Sequence, residues 1–411
     1  MRCITLWTVL GLLLTAVVTT ANDWPQFRGP SGQGYSSDTE LPLEWNESKN
    51  IAWKVPVPGL GWSSPVIADG QVWLTSSLTS NTGASLRLLG YDLTSGQELL
   101  NTEVFHVDDS NSPNPKNSLA SPTPVLDPSG DRIYVHFGSY GTAALTTDGD
   151  VVWSTNFPYI SQHGNGGSPI LYQDSLILSI DGYDTAYVVA IDTITGEERW
   201  RAMRQAPVSQ AYSTPLVIRV GETDQIVSVA AYRTTAHNPS TGKEIWSVGY
   251  RDGFSNVPRP VYGQGMVYLS TGFQTPSLLA VQTNGVGDVT DTHVAWRLNR
   301  GAPLTPSPLL VGNELYVIND FGIVTCIDAT TGDVHWQNRI GGNHSASPVY
   351  ANGRIYFQSE EGVTTVIQSG TDFQILAQNE LDGETLASMA VSSGTVVIRT
   401  NSHLYRIASE G

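Results

Sequence analysis

Two histidines and one arginine occupy the positions in this chain where side-chain type and local backbone together could do chemistry. His163 stands in Gln162-His163-Gly164-Asn165-Gly166-Gly167, and His344 in Gly341-Gly342-Asn343-His344-Ser345. Glycine on both sides lets the backbone approach a ligand, and imidazole is the side chain that changes charge near neutral pH. The competing reading of each is a loop histidine bonded to its own surroundings. Arg259 lies in Val257-Pro258-Arg259-Pro260, where two prolines stiffen the backbone and fix its direction. That suits an inward-facing guanidinium that binds an anion, or else a structural ion pair. Asp320, Glu360 and Glu361 could share a hard cation such as calcium, although solvated loop carboxylates are the commoner outcome. Asp288-Val289-Thr290-Asp291 reads better as a capped turn than as a metal loop.

What positions these residues is a repeat. A small residue plus proline opens a short strand at Ser64-Pro65, Thr123-Pro124, Ser168-Pro169, Thr214-Pro215, Ser307-Pro308 and Ser347-Pro348. Arg259-Pro260 takes this place in the fifth copy and Ser388-Met389 in the last. Each copy closes on an aromatic or aliphatic residue: Trp53, Leu100, Trp153, Trp200, Trp246, Trp296, Trp336 and Leu376. The spacing, roughly 46 residues, is that of propeller blades. The third copy predicts four strands, over 167–172, 175–180, 187–192 and 198–201, with Gly196 free to take positive φ in the last turn. One blade cannot bury both faces, so the copies must form a ring.

Asn50 to Val55 is a closing-type strand without an opening, whereas Leu386 to Ile407 supplies three strands before the chain ends. Pairing them completes an eighth blade and removes the exposed edge an open sheet would leave. The expectation is therefore an all-β, eight-bladed propeller over 44–408, preceded by an extended segment over 22–43; seven blades is the alternative should the last repeat be a cap.

Arg2, an apolar run from Leu6 to Val18 and the small residues Thr19-Thr20-Ala21 predict a secretory signal peptide over 1–21, the run being short for a membrane span. Removal of Cys3 leaves Cys326, read as a buried small hydrophobe, and no internal disulfide. The expected location is the periplasm or the extracellular space. A net charge of −17 repels phosphate backbones and anionic lipid, which argues against nucleic-acid and membrane-surface partners.

The segments Ala190-Ile191-Asp192-x-x-Thr195-Gly196-x-x-x-Trp200, Asn238-Pro239-Ser240-Thr241-Gly242-Lys243-Glu244-Ile245-Trp246 and Asp328-Ala329-Thr330-Thr331-Gly332-Asp333-Val334-His335-Trp336 resemble the tryptophan-docking repeat of propellers of the pyrroloquinoline-quinone (PQQ) type. The resemblance covers nearly all of the chain after the signal peptide. Asp23-Trp24-Pro25-Gln26-Phe27-Arg28-Gly29-Pro30 is similar to the start of secreted PQQ-like propellers of planctomycete-type bacteria, which share their architecture with the outer-membrane assembly scaffold BamB. The motif's physical role is packing: glycine makes the turn, Asp or Asn caps it, and Trp53, Trp153, Trp200, Trp246, Trp296 and Trp336 wedge between blades. Likeness of fold does not carry quinone chemistry with it.

In an up-and-down blade, the loops leading into the first strand and those joining the second to the third emerge on one face. That face should collect His163, Asn165, Tyr212, Arg259 and His344 from the first set, and Asp181, Arg233, Asp320 and Glu360 from the second. Three functions are consistent with it. One is a non-enzymatic scaffold that binds a protein, peptide or glycan there, without cofactor. Another is a quinone-dependent dehydrogenase of alcohols or sugars holding PQQ and calcium, against which stand the missing adjacent-cysteine pair and the short chain. The third is a hydrolase or lyase built on His163, for which there is no Gly-x-Ser-x-Gly or His-Glu-x-x-His signature. The scaffold is the favoured reading.

Overall fold

The computed structural model describes residues 23–108 and 114–409, so the signal-peptide expectation over 1–21 lies outside the described residues. Eight four-stranded antiparallel sheets, two of them with a short parallel fifth strand, follow one another along the chain. Blade 1 runs from Val66 to Val107, blade 2 from Val125 to Thr155, blade 3 from Ile170 to Met203 and blade 4 from Leu216 to Gly249. Blade 5 spans Val261 to Leu298, blade 6 Leu309 to Arg339 and blade 7 Val349 to Glu380. Blade 8 takes its inner three strands, Ala390–Ser392, Thr395–Arg399 and His403–Ala408, from the C-terminal end and its outer strand, Ile51–Pro56, from the N-terminal side. Ile51 pairs with Ile407 and Val55 with Leu404 in that closure, so the ring has eight blades rather than seven.

Blade 3 forms strands Ile170–Tyr172, Ser175–Asp181, Ala186–Asp192 and Glu198–Met203. The inner strand starts three residues later than the sequence suggests, because Pro169 has no N–H for the ladder and pairing begins beyond it. Inner strands in the blades that open with proline all begin directly after that residue.

The blades are joined by a recurring dock. The indole N–H of Trp53, Trp153, Trp200 and Trp296 donates to the carbonyl of Leu93, Thr193, Pro239 and Ala329, each directly after the Asp or Asn that caps the next blade's turn. Trp336 donates likewise to the Gly370 carbonyl. Gly196, at φ 76°, lies flat against the Trp153 ring, and a Cβ there would come within 2.6 Å of it. Trp246 departs from this pattern and donates to Gln225 of its own blade. In blade 5 the turn is replaced by an excursion whose Gly287–Asp288 adds a parallel fifth strand beside Trp246 and Ser247. Asp288 there caps Thr290, whose hydroxyl accepts the Gly249 N–H. Cys326 is fully buried between blades 6 and 7.

Candidate functional site

The small residue before each proline has a second task. Backbone N–H groups of Ser64, Thr123 and Ser168 donate to the side-chain hydroxyls of Thr123, Ser168 and Thr214 in the next blade, at 2.9–3.0 Å. Arg259, Ser307 and Ser347 donate to Ser307, Ser347 and Ser388, and Ser388 donates to Ser64, which closes the circle. This collar of hydroxyls around the channel lacks one link, from Thr214 to position 259, where arginine stands in place of a hydroxyl residue.

The Arg259 side chain turns into the channel, is 1% exposed, and donates from Nη1 to the Phe27 carbonyl at 2.6 Å. Phe27 belongs to the segment read as a simple extension, which in fact stoppers one end of the channel. Trp24 exchanges backbone bonds with Ile67 of blade 1, and the Pro25 carbonyl takes the Leu126 N–H of blade 2. The Gln33 side chain takes the Tyr262 N–H of blade 5, and the Gly34 carbonyl the Tyr350 N–H of blade 7. All four blades donate from the same position, two residues past the proline, on the free edge of an inner strand. A segment that serves blades 1 and 2 and also 5 and 7 has to cross the axis. Trp24, Leu41 and Trp45 then merge with the core of blades 7, 8 and 1.

The opposite end, where the lead-in loops emerge, is crossed by the connection between blades 1 and 2. Lys116 reaches Glu360 of blade 7 at 2.8 Å, and Asn117 donates to the carbonyls of His163 and Asn165 in blade 3. Asn165 is buried and fully used: Nδ2 donates to the Phe137 carbonyl and Oδ1 accepts the Tyr159 hydroxyl, both at 2.7 Å. The His163 ring is half-buried, 6.4 Å from that of Tyr212. Burial raises the Tyr212 hydroxyl to about 12. Glu360 also accepts the Ser345 hydroxyl, Asp320 accepts the Leu304 N–H, and Glu361 accepts the Asn343 N–H. Both ring nitrogens of His344 face carbonyls, of Gln358 and Gly341, at 3.0 Å, and burial pushes its pKa down against their opposing pull.

Asp181 and Arg233 belong to a separate group between blades 3 and 4. Asp181 is paired at both oxygens with Arg204, at 2.6 and 3.1 Å, and the two side chains are 1% and 4% exposed. Burial raises the Asp181 pKa and Arg204 opposes the rise. Arg204 also donates to Ser228 and Thr235, and the Thr235 hydroxyl meets His237 Nε2. Arg233 is bonded to Gln205 at the rim. The residues expected on one face are thus divided: Arg259 in the channel, Asp181 in an interblade ion pair, His344 and Asn165 in loop anchors, and His163, Tyr212, Asp320 and Glu360 around the crossing loop. Arg204 and Lys116, the cations that complete two of these groups, belong to no repeat, and no pattern in the sequence marks them.

Among the exposed side chains of the mouth is a set of large apolar ones. Ile160 and Tyr183 of blade 3, Phe273 of blade 5 and Phe321 of blade 6 stand out on its loops, Phe321 at 62% exposure. Phe273 packs edge-on against Phe254, 5.7 Å between centroids, which continues to Tyr232.

An eight-bladed propeller with tryptophan docking, a hydroxyl collar and a channel crossed at both ends is a ring built around its own chain. By sequence it belongs to the family described as outer membrane protein assembly factor BamB, matched over residues 35–179 and 282–405. Among solved structures, BamB from Moraxella catarrhalis is similar over 88% of this chain and 97% of its own, with TM-score 0.65 and 14% identity. A europium-containing methanol dehydrogenase is similar over 93% and 90%, with TM-score 0.64 and 12% identity. The quinohemoprotein alcohol dehydrogenase from Comamonas testosteroni is similar over 95% and 81%, with TM-score 0.54 and 10% identity. At these identities the likeness is one of fold. No curated protein matches by sequence.

Proposed function

We propose that this chain is a secreted or periplasmic scaffold that holds a protein partner on the loop face of the ring. The observation that carries this reading is the exposure of Ile160, Tyr183, Phe273 and Phe321 on loops of blades 3, 5 and 6, around a channel crossed at both ends. Exposed aromatic side chains on a polar rim are what protein interfaces use as anchors. A BamB-type fold supports the same class of role. The test is capture of partners from a periplasmic fraction by wild type and by a Phe273→Asp, Phe321→Asp variant. Loss of a specific partner with an unchanged melting curve is expected. Binding that survives, but disappears when Lys243 and Asp333 on the Thr-Gly turns are changed, would move the working surface to the other side and reject the assignment.

A quinone-dependent dehydrogenase is the alternative that the similarity to a methanol dehydrogenase favours. The carboxylates at the mouth are engaged by protein partners, which weighs against calcium there. Calcium takes six to eight oxygen ligands, whereas Glu360 is held by Lys116 and Ser345, Asp320 by Leu304 and Glu361 by Asn343. Among the described residues, no three His, Cys, Asp or Glu side chains are grouped to hold a metal ion. Adding PQQ with calcium should leave the melting temperature unchanged. A ligand at one hundred times its Kd would instead contribute about 2.7 kcal/mol, and a shift lost on chelation would reinstate the dehydrogenase.

A further inference from the structure

Arg28 and Arg259 lie near enough to each other inside the ring for the charge of Arg28 to act on Arg259. Arg28 is 2% exposed and donates from Nη2 to the Gln33 carbonyl at 3.0 Å, and Arg259 donates from Nη1 to Phe27. Arg28 Nε and Nη1 and Arg259 Nε are buried with no acceptor in the protein. Among the described residues, no carboxylate forms an ion pair with either guanidinium; Tyr35 is the ionisable side chain acting on Arg28, and Arg28 the one acting on Arg259. Burial lowers both guanidinium pKa values to about 9, with Arg28 adding to the effect on Arg259. Two buried like charges without a counter-charge are among the costliest arrangements a fold can contain.

The surrounding loop is shaped around them. Gly32 at φ 68° lies against Arg259, where a Cβ would come within 2.4 Å of Nη1, and Gly34 at φ 85° lies against Arg28, where a Cβ would come within 2.7 Å of Nη2. Only glycine permits backbone this close at these angles. We propose that the Arg28 and Arg259 guanidiniums share a buried monatomic anion of the chloride class, which locks the leader across the channel. Three buried N–H donors without an acceptor are what such an ion requires, and their near-complete closure to water favours a single atom over a tetrahedral oxyanion.

The test uses the mature full chain. At constant ionic strength, replacing gluconate by chloride or bromide should raise the melting temperature saturably, by about 2 °C or more, because the ion binds only the folded state. Arg28→Met and Arg259→Met should abolish that dependence. Crystals of wild type grown in bromide should give an anomalous peak within hydrogen-bond reach of Arg28 Nη1 and Arg259 Nε, a readout that holds if the variants fail to fold. Absence of the peak would overturn the proposal. So would stabilisation by sulfate or phosphate but not by halide, or an equal halide effect in wild type and a folded Arg28→Met.

Discussion

Acidification should weaken this fold through two histidines that no loop reading would single out. His136 and His237 are buried on blade strands, and burial lowers both from 6.5 to about 4, with Arg204 adding to the effect on His237. His237 is held as a neutral tautomer. Its Nδ1–H donates to the Gly242 carbonyl at 2.9 Å, while Nε2 accepts the hydroxyl of Thr235, whose oxygen already takes an Arg204 N–H. Because the unfolded chain binds the proton at higher pH than the folded one, the stability from each neutral histidine is complete above 6.5 and declines as pH falls toward 4. Between pH 7 and pH 5 the loss is about 2 kcal/mol per histidine, or about 4 for the pair, on the scale of 1.36 kcal/mol per pKa unit. Urea unfolding at pH 7, 6 and 5 measures the loss, and His237→Gln separates it from other titrations. Whatever the variant's stability at pH 7, its fall to pH 5 should be smaller than wild type's by about 2 kcal/mol. Parallel curves for wild type and His237→Gln would refute the tautomer argument.

Trp53→Ala removes both the indole that docks on Leu93 and the main side chain of the closing strand, and should cost about 3–5 kcal/mol in urea unfolding. An unchanged midpoint would mean that the ring does not depend on this closure. Cys326, buried and with its thiol raised to about 12 by burial, should react with a thiol reagent at pH 8 only as fast as the protein unfolds. Fast labelling in the absence of denaturant would contradict its placement between blades 6 and 7.

The ring was legible in the sequence because both halves of each dock recur with the period. A tryptophan like Trp153 closes six of the eight blades, the opening proline recurs in seven and the hydroxyl at the preceding position in seven, so spacing alone reveals them. The leader could not be read this way. Trp24, Pro25 and Gly34 bond to backbone groups of inner strands, and backbone partners leave no mark on residue type. Arg204 and Lys116 are similarly silent, since each completes a contact that occurs once. Position 259 did carry a signal, as the one interruption by a charged residue in a series of hydroxyls. Connectivity alone put its side chain at the mouth, whereas a guanidinium long enough to leave the collar finds the Phe27 carbonyl inside the ring.

The two crossings differ in kind, and the difference bears on where specificity can reside. At the N-terminal segment's end the contacts are backbone bonds to blades 1, 2 and 7 and a Gln33 side-chain bond to blade 5, together with the buried Trp24 and Arg28, so that end is part of the core. At the mouth the crossing rests on Asn117 and on an ion pair whose Lys116 is 60% exposed, and such a pair contributes little in water. Substitutions at Lys116 or Phe321 should therefore alter the surface without the ring's integrity being at stake, whereas changes at Trp24 or Arg28 act on the fold. A ring of this construction can vary its loop face while the other face and the channel stay fixed, and it is on the loop face that the exposed rings of Phe273 and Phe321 stand.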